Sequence, residues 1–249
     1  MLTSIPGHGW ASTSERLAIA AAVTLGFALL ARALHGVTRS GAVAGGVACF
    51  LLFAGGGPAV FATLGALFAM TWASTRLGYR HKLALGLAER RDGRNALQIL
   101  SNLAVAASSS VAFGATGNRV WLIATVAALA EAATDTVASE IGQYRTSTAR
   151  MITTWKQVPA GTDGGLTISG SVAGVAGGVV IAAVAVLAGI IVPREAWIPS
   201  VAGTAGMLFD SILGATLQRR GRLSNQSVNF YATLAAAALA YAIAITTIP

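Results

Sequence analysis

The chain has 249 residues, 55% of them hydrophobic and only 10% charged, with a net charge of +8. Soluble domains carry about 25% charged residues, so this composition excludes an ordinary soluble fold and indicates an integral membrane protein. Aromatics make up only 7% and Ala and Gly are abundant, which favours helices packed through small residues over an outer-membrane barrel.

The predicted class is all-α, a polytopic helix bundle in the lipid bilayer forming one domain over 1–249. At about 20 apolar residues per crossing, spanning helices are expected near 16–35, 41–56, 58–76, 95–115, 120–140, 167–192, 196–217 and 228–247. That makes eight, with a range of six to eight because "GGGP" at 55–58 alone separates the second from the third. "STSE" at 12–15 reads as a capping box for the first helix. No basic region precedes that helix as it would in a signal peptide, so it is expected to remain as a span. Cys49 falls inside the second helix without a partner and reads as a small core residue.

Basic residues follow every odd-numbered helix: Arg32 and Arg39, then six from Arg76 to Arg94, then Arg145, Arg150 and Lys156, then Arg219, Arg220 and Arg222. These are 14 of the 17, and the positive-inside bias therefore places loops 77–94, 141–166 and 218–227 in the cytoplasm and both termini on the other side. The host membrane is the inner membrane if the source is bacterial. The positive charge is a topology signal, and no nucleic-acid partner is expected. One internal echo pairs "SGAVAGGVA" at 40–48 with "SGSVAGVAG" at 169–177, each at a helix start with Gly-x-x-x-Gly spacing.

Polar groups converge at the cytoplasmic level. On the fifth helix Glu131 and Asp135 are four apart and share a face that Ser139 extends, with Glu140 turned about 100° away. The seventh helix places Asp210 two turns before its end, with Gly214 and Gln218 continuing that face. The fourth carries Asn95, Gln98 and Asn102, and the eighth begins with Asn225 and Asn229. Carboxylates at depth cost several kcal/mol unless paired or solvated. An oxygen-only set without His or Cys suits Mg²⁺, making Glu131, Asp135, Glu140 and Asp210 candidate ligands. His8, His35 and His81 lie at or beyond helix ends, which argues against zinc.

The loop "RMITTWKQVPAGTDGGLTISGS" at 150–171 adds Gly161, Gly164 and Gly165 before a helix start, an arrangement that turns N–H groups toward an anion. Arg150 and Lys156 add positive charge, and Thr162, Thr167 and Ser169 add hydroxyl donors. The order is not a Walker motif, since no Gly-Lys-Ser/Thr occurs.

The blocks "RDGRNALQILSN", "ATDTVASEIG", "ITTWKQVPAGTDGGLTISGSVAG" and "FDSILGATLQ" resemble the signature blocks of the integral-membrane family that includes plant phytyl-phosphate kinase and animal transmembrane protein 19, over roughly 35–247. The resemblance implies phosphorylation of an isoprenyl monophosphate to the diphosphate by a nucleoside triphosphate, CTP or ATP with CTP favoured. Carried over by position, it points to Asn102, Glu131, Asp135, Ser139, Glu140, Lys156, Gly161, Thr162, Gly164, Gly165, Asp210, Gly214, Gln218 and Asn229. "VAS" at 137–139 departs from the aromatic start expected there.

In the mechanism this suggests, Asp135 and Asp210 hold Mg²⁺ with Glu131 nearby, Lys156 and Arg150 neutralise charge on the transferred group, and the backbone at Gly164 and Gly165 cradles phosphate oxygens. Two other classes compete: a transporter or flippase for a lipid phosphate, and a CTP-dependent nucleotidyltransferase acting on one. The outer halves of the fifth and seventh helices carry no charge, which speaks against a transport path through both leaflets. A homo-oligomer is left open.

Overall fold

The computed structural model describes residues 13–248; the Ser12 cap expected for the first helix, and His8, lie outside them. Eight helices follow in order: α1 (Thr13–Ala33), α2 (Arg39–Arg76), α3 (Tyr79–Ala84), α4 (Ala96–Thr116), α5 (Val120–Arg145), α6 (Ile168–Leu187), α7 (Trp197–Leu213) and α8 (Asn225–Thr247). All but α3 are long and apolar enough to cross a membrane. Helices entering from the basic side start where a side-chain oxygen meets their free N–H groups. Thr38 Oγ1 accepts from Gly41 N at 3.1 Å for α2, and Thr167 Oγ1 from Gly170 N at 3.0 Å for α6. Asn95 opens α4 in a reciprocal capping box with Gln98. Ser224 accepts from Ser227 N to open α8. The two echoing strings thus begin with the same device, a Thr cap feeding a glycine pressed against backbone.

The 38 residues of α2 would make a straight rod about 57 Å long at 1.5 Å per residue. They do not. Gly57 adopts φ 76° and ψ −171° just before Pro58, and the helix folds back on itself there. Trp72 Nε1 donates to Leu34 O at 3.1 Å, and Arg76 donates to the same carbonyl, four residues before Thr38. Both ends of α2 therefore lie on one side, as the predicted pair 41–56 and 58–76 requires, so that α2 contributes two arms to the bundle.

Helix α5 is the axis, packing against α2, α4, α6, α7 and α8. Its contact with α6 explains the small residues. A Cβ at Gly170, Gly174 or Gly178 would lie 2.4, 2.5 or 2.4 Å from Ala138 O, Thr134 O or Thr134 Oγ1, so only glycine lets the helices approach this closely. Helix α6 stops at Leu187 rather than near 192. Gly189 turns to φ 75°, and Ile190 N reaches back to Ala185 O and Gly189 N to Val186 O, a Schellman ending ahead of Pro193.

Two expected loops contain structure. Within 77–94, α3 folds against the bundle and buries Lys82 completely. Within 141–166, α5 runs on to Arg145, and β1 (Thr148–Met151), β2 (Gln157–Pro159) and β3 (Gly165–Leu166) form a small antiparallel sheet in the order β2-β1-β3. Arg150 is central in it, paired with Gln157 on one side and Leu166 on the other.

Candidate functional site

A polar pocket of about 400 Å³ opens at the basic side between α4, α5, α7, α8 and the 160–167 loop. Asp135 enters from α5 and Asp210 from α7, two segments 75 residues apart in sequence that meet because both helices run toward this side and pack together. An amide relay supports Asp210. The Asn229 nitrogen, oriented by its partners, donates to Asp210 Oδ2 at 3.3 Å and Asn225 O at 3.0 Å, while its oxygen accepts from Asn102 Nδ2 at 3.2 Å. Asn102 also donates to Gln98 O at 2.9 Å, and Gln98 Nε2 to Glu89 Oε2 at 3.0 Å. The periodic amides of α4 thus reach from the loop before it to a carboxylate on α7.

The loop closes the other wall. Gly161, Thr162, Gly164 and Gly165 all line the pocket. Their close neighbours are protein, however: a Cβ at Gly164 would fall 2.6 Å from both Ser211 O and Ala215 N, and one at Gly161 would meet Leu87. Gly164 thus lets the loop dock on the end of α7, where the helix widens into a π turn over Gly214–Gln218, while Gly161 lets it pass the Leu87 side chain. Thr162 Oγ1 donates to Pro159 O at 2.7 Å.

The four candidate metal ligands separate. Asp135 and Asp210 face the pocket. Glu131 is 1% exposed, lies against Gly206 of α7, and has a buried Oε1 without a hydrogen-bond partner. Glu140 touches the pocket but is engaged elsewhere, accepting from Lys82 and from Thr75 Oγ1 at 2.9 Å. Among the described residues, no three Asp, Glu, His or Cys groups converge as a protein-only metal cage. The remaining two carboxylates still suit Mg²⁺, which binds through one or two carboxylates and completes its shell with water and substrate phosphate.

Ser139 and Gln218 line the pocket, and Ser139 accepts from Gln143 Nε2 at 3.0 Å. Lys156 and Arg150 do not line it. Arg150, on β1, and Lys156, on the turn that leads into β2, are exposed on the hairpin, where Arg150 donates to Trp155 O at 3.0 Å. Ser169 lies on the first turn of α6, also outside the lining. Three charged lining residues, Glu89, Arg94 and Asp163, were not among the candidates. Arg94, counted as a loop charge, reaches toward Thr136 Oγ1 at 3.5 Å and stands by Asp135. Asp163 stands inside "GTDGG", where burial of its inner edge pushes its carboxyl up and Arg219 pulls it partly back. The signals of Arg94 and Asp163 were position and context: a basic residue just before a capping box, and an acid between the paired glycines.

Fold and pocket together define a multi-pass helical membrane protein with an acid- and amide-lined site at one end of its bundle. Residues 22–237 match the family described as integral membrane protein DUF92, and the chain belongs to that family. It is 33% identical over 186 residues to the uncharacterized membrane protein sll0875 of Synechocystis, covering 73% of this chain and 72% of that one. It is 31% identical over 204 residues to protein VTE6, chloroplastic, of Arabidopsis thaliana, covering 78% of this chain and 61% of that protein. The membrane protein MJ0933 of Methanocaldococcus jannaschii is 39% identical over 116 residues, 45% of this chain and 47% of its own. No solved structure matches.

Proposed function

We propose that the protein is an isoprenyl-phosphate kinase, transferring the terminal phosphoryl group of a nucleoside triphosphate, with CTP favoured, to a prenyl monophosphate. The observation that carries this reading is the meeting of Asp135 and Asp210 in one polar pocket walled by the "GTDGG" loop. Kinship with the family that includes plant phytyl-phosphate kinase supplies the substrate class.

An anionic oxygen of the lipid phosphate attacks the γ-phosphorus, the bond from that phosphorus to the β–γ bridging oxygen breaks, and nucleoside diphosphate leaves while the lipid becomes a diphosphate. The nucleophile is already ionised near neutral pH, so no general base is needed and the pocket contributes positioning and charge balance. Mg²⁺, when bound, supplies electrostatic stabilisation of the phosphate oxygens. Asp135 and Asp210 are the residues that would hold it, with the Asn229 amide fixing the Asp210 carboxylate. Arg94 offers a fixed positive charge on the same wall. Lys156 and Arg150, on the exposed hairpin, would act on the outer phosphates of a nucleotide entering from the cytosol.

The test is incubation of the purified protein with Mg²⁺, labelled CTP or ATP, and phytyl, geranylgeranyl, farnesyl and undecaprenyl phosphates. Prenyl diphosphate with nucleoside diphosphate is expected. Release of inorganic diphosphate with a nucleotidyl-lipid would replace kinase action by nucleotidyl transfer, and lipid phosphate crossing vesicles unchanged would replace it by transport.

A further inference from the structure

A second cavity, of about 590 Å³, lies beside the polar pocket between α1, the two arms of α2 and α4. Its volume is that of a site for a small organic ligand. Its walls are apolar: Phe27 from α1, Gly45 and Cys49 from the first arm, Leu64 and Phe68 from the second, Leu103 from α4. The two spaces share a wall. Glu89, Arg94, Gln98 and Asn102 line both, so the apolar cavity and the acidic pocket meet at this group of four.

Arg94 is held at the junction by its backbone. Its N–H donates to Gly36 O at 3.0 Å and its carbonyl accepts from Thr38 N at 3.0 Å, clamping it to the α1–α2 connection while its guanidinium turns toward Thr136. Arg76, Arg90 and Arg91 also border the apolar cavity. An apolar space with cationic side chains at its rim matches a molecule that is hydrocarbon at one end and a phosphate at the other, because a guanidinium binds phosphate through paired, charge-assisted hydrogen bonds.

We propose that this cavity receives the hydrocarbon chain of the lipid monophosphate, and that Arg94 holds the phosphate at the neck, where it faces Asp135 and Asp210. The inference rests on the lipid-phosphate reading of the pocket and adds where the tail goes and which residues limit its length. The chain threads between α1 and the α2 hairpin instead of lying wholly in bilayer lipid. Gly45 is placed to set that length, since a Cβ there finds only Ile99 Cγ2, at 3.8 Å, and larger side chains would project into the cavity.

Photolabelling of the full chain, without nucleotide or Mg²⁺, separates this from the kinase reading. A farnesyl monophosphate carrying a diazirine at its far end is expected to label peptides around Phe27, Cys49, Leu64 and Phe68. Unlabelled farnesyl phosphate should compete at least tenfold better than farnesol, and R94Q should erase most of that difference. G45F should shift competition toward shorter prenyl phosphates. Label confined to lipid-facing side chains, or competed equally by phosphatidic acid, overturns the proposal, and because the wild-type map is read directly, a poorly folding variant does not rescue it. Cavity labelling without diphosphate formation from any nucleotide would uphold the cavity and reject the kinase; diphosphate formation with label elsewhere would do the reverse.

Discussion

Lys82 is fully buried and bonded to Glu140, tying the short helix α3 to the axis of the bundle. The ammonium also donates to Ser74 O at 3.1 Å and Thr75 O at 2.9 Å, at the last turn of α2, so all three of its hydrogens have acceptors. The pair closes the pocket's flank by charge neutralisation inside the protein, which is why Glu140 is not free to act as a metal ligand. Removing one partner strands a buried charge at a cost of roughly 3–5 kcal/mol. K82M and E140Q should therefore each lower thermal stability in detergent sharply, and the double variant K82M/E140L should recover most of the loss. Equal destabilisation by the double variant would show that the pair does more than balance its own charge.

D135N and D210N keep shape and hydrogen-bonding capacity while removing charge. Each is expected to leave the protein inserted and to lower Mg²⁺-dependent turnover by roughly 10²–10³, the usual loss when one electrostatic element of a transfer site is deleted. K156A, on the exposed hairpin, should raise the KM for nucleotide several-fold with kcat retained. A wild-type rate for D135N, or an unchanged KM for K156A, would remove those residues from their roles.

Much of this architecture is readable in the amino-acid order because membranes impose strong rules. Apolar runs mark the crossings, basic residues alternate with them, and Asn95, Gln98 and Asn102 announce a polar stripe by spacing alone. What stays hidden is tertiary. Lys82 and Arg94 look in sequence like any other loop cation, yet one is buried against α5 and the other stands at the neck between two cavities. The glycines of "GTDGG" suggest an anion cradle, whereas Gly164 is required by the approach of Ser211 and Ala215. A glycine's reason depends on what comes near it, and that neighbour is distant in the chain.

The relay from Asn102 through Asn229 to Asp210 makes a prediction of its own. N229A and N102A should each cost about 1–3 kcal/mol by leaving a buried polar partner unsatisfied. N229A should also weaken Mg²⁺ binding by roughly 10–100-fold through the released carboxylate, with the more distant N102A acting less. Calorimetric Mg²⁺ titration in the presence of nucleotide measures it, and identical affinities in the two variants would break the proposed order.

Asp163 supplies a pH signature outside the membrane spans. Its carboxyl is raised in the folded protein, chiefly by burial, so the unfolded chain loses this proton first as pH rises. The group's contribution is thus greatest below the ordinary carboxylate range and falls as pH climbs through the raised value. D163N should flatten that part of the stability profile, seen as a smaller decline in melting temperature as pH rises above the ordinary carboxylate value of about 4. Parallel profiles for variant and parent would mean that the carboxylate is not perturbed.

Gly57 and Gly164 test whether a positive φ or a close neighbour is the stronger constraint. Both have left-handed φ, 76° and 77°, but nothing lies within 4 Å of a Cβ built on Gly57, whereas one on Gly164 would fall within 2.6 Å of the backbone of α7 and the turn after it. G57A therefore meets backbone strain alone, about 1–3 kcal/mol for its φ/ψ region, and should lower stability without changing ligand binding. G164A meets the same kind of strain and must also push the loop off α7, opening the wall that faces Asp210. Its stability loss should be larger, and protease cleavage within 160–167 should appear only in this variant. Nucleotide binding should fall with it, while G57A binds as the parent does. If the two variants proved equally stable and equally resistant to cleavage, the packing of the loop against α7 would have no energetic weight, and the pocket would lose one of its walls.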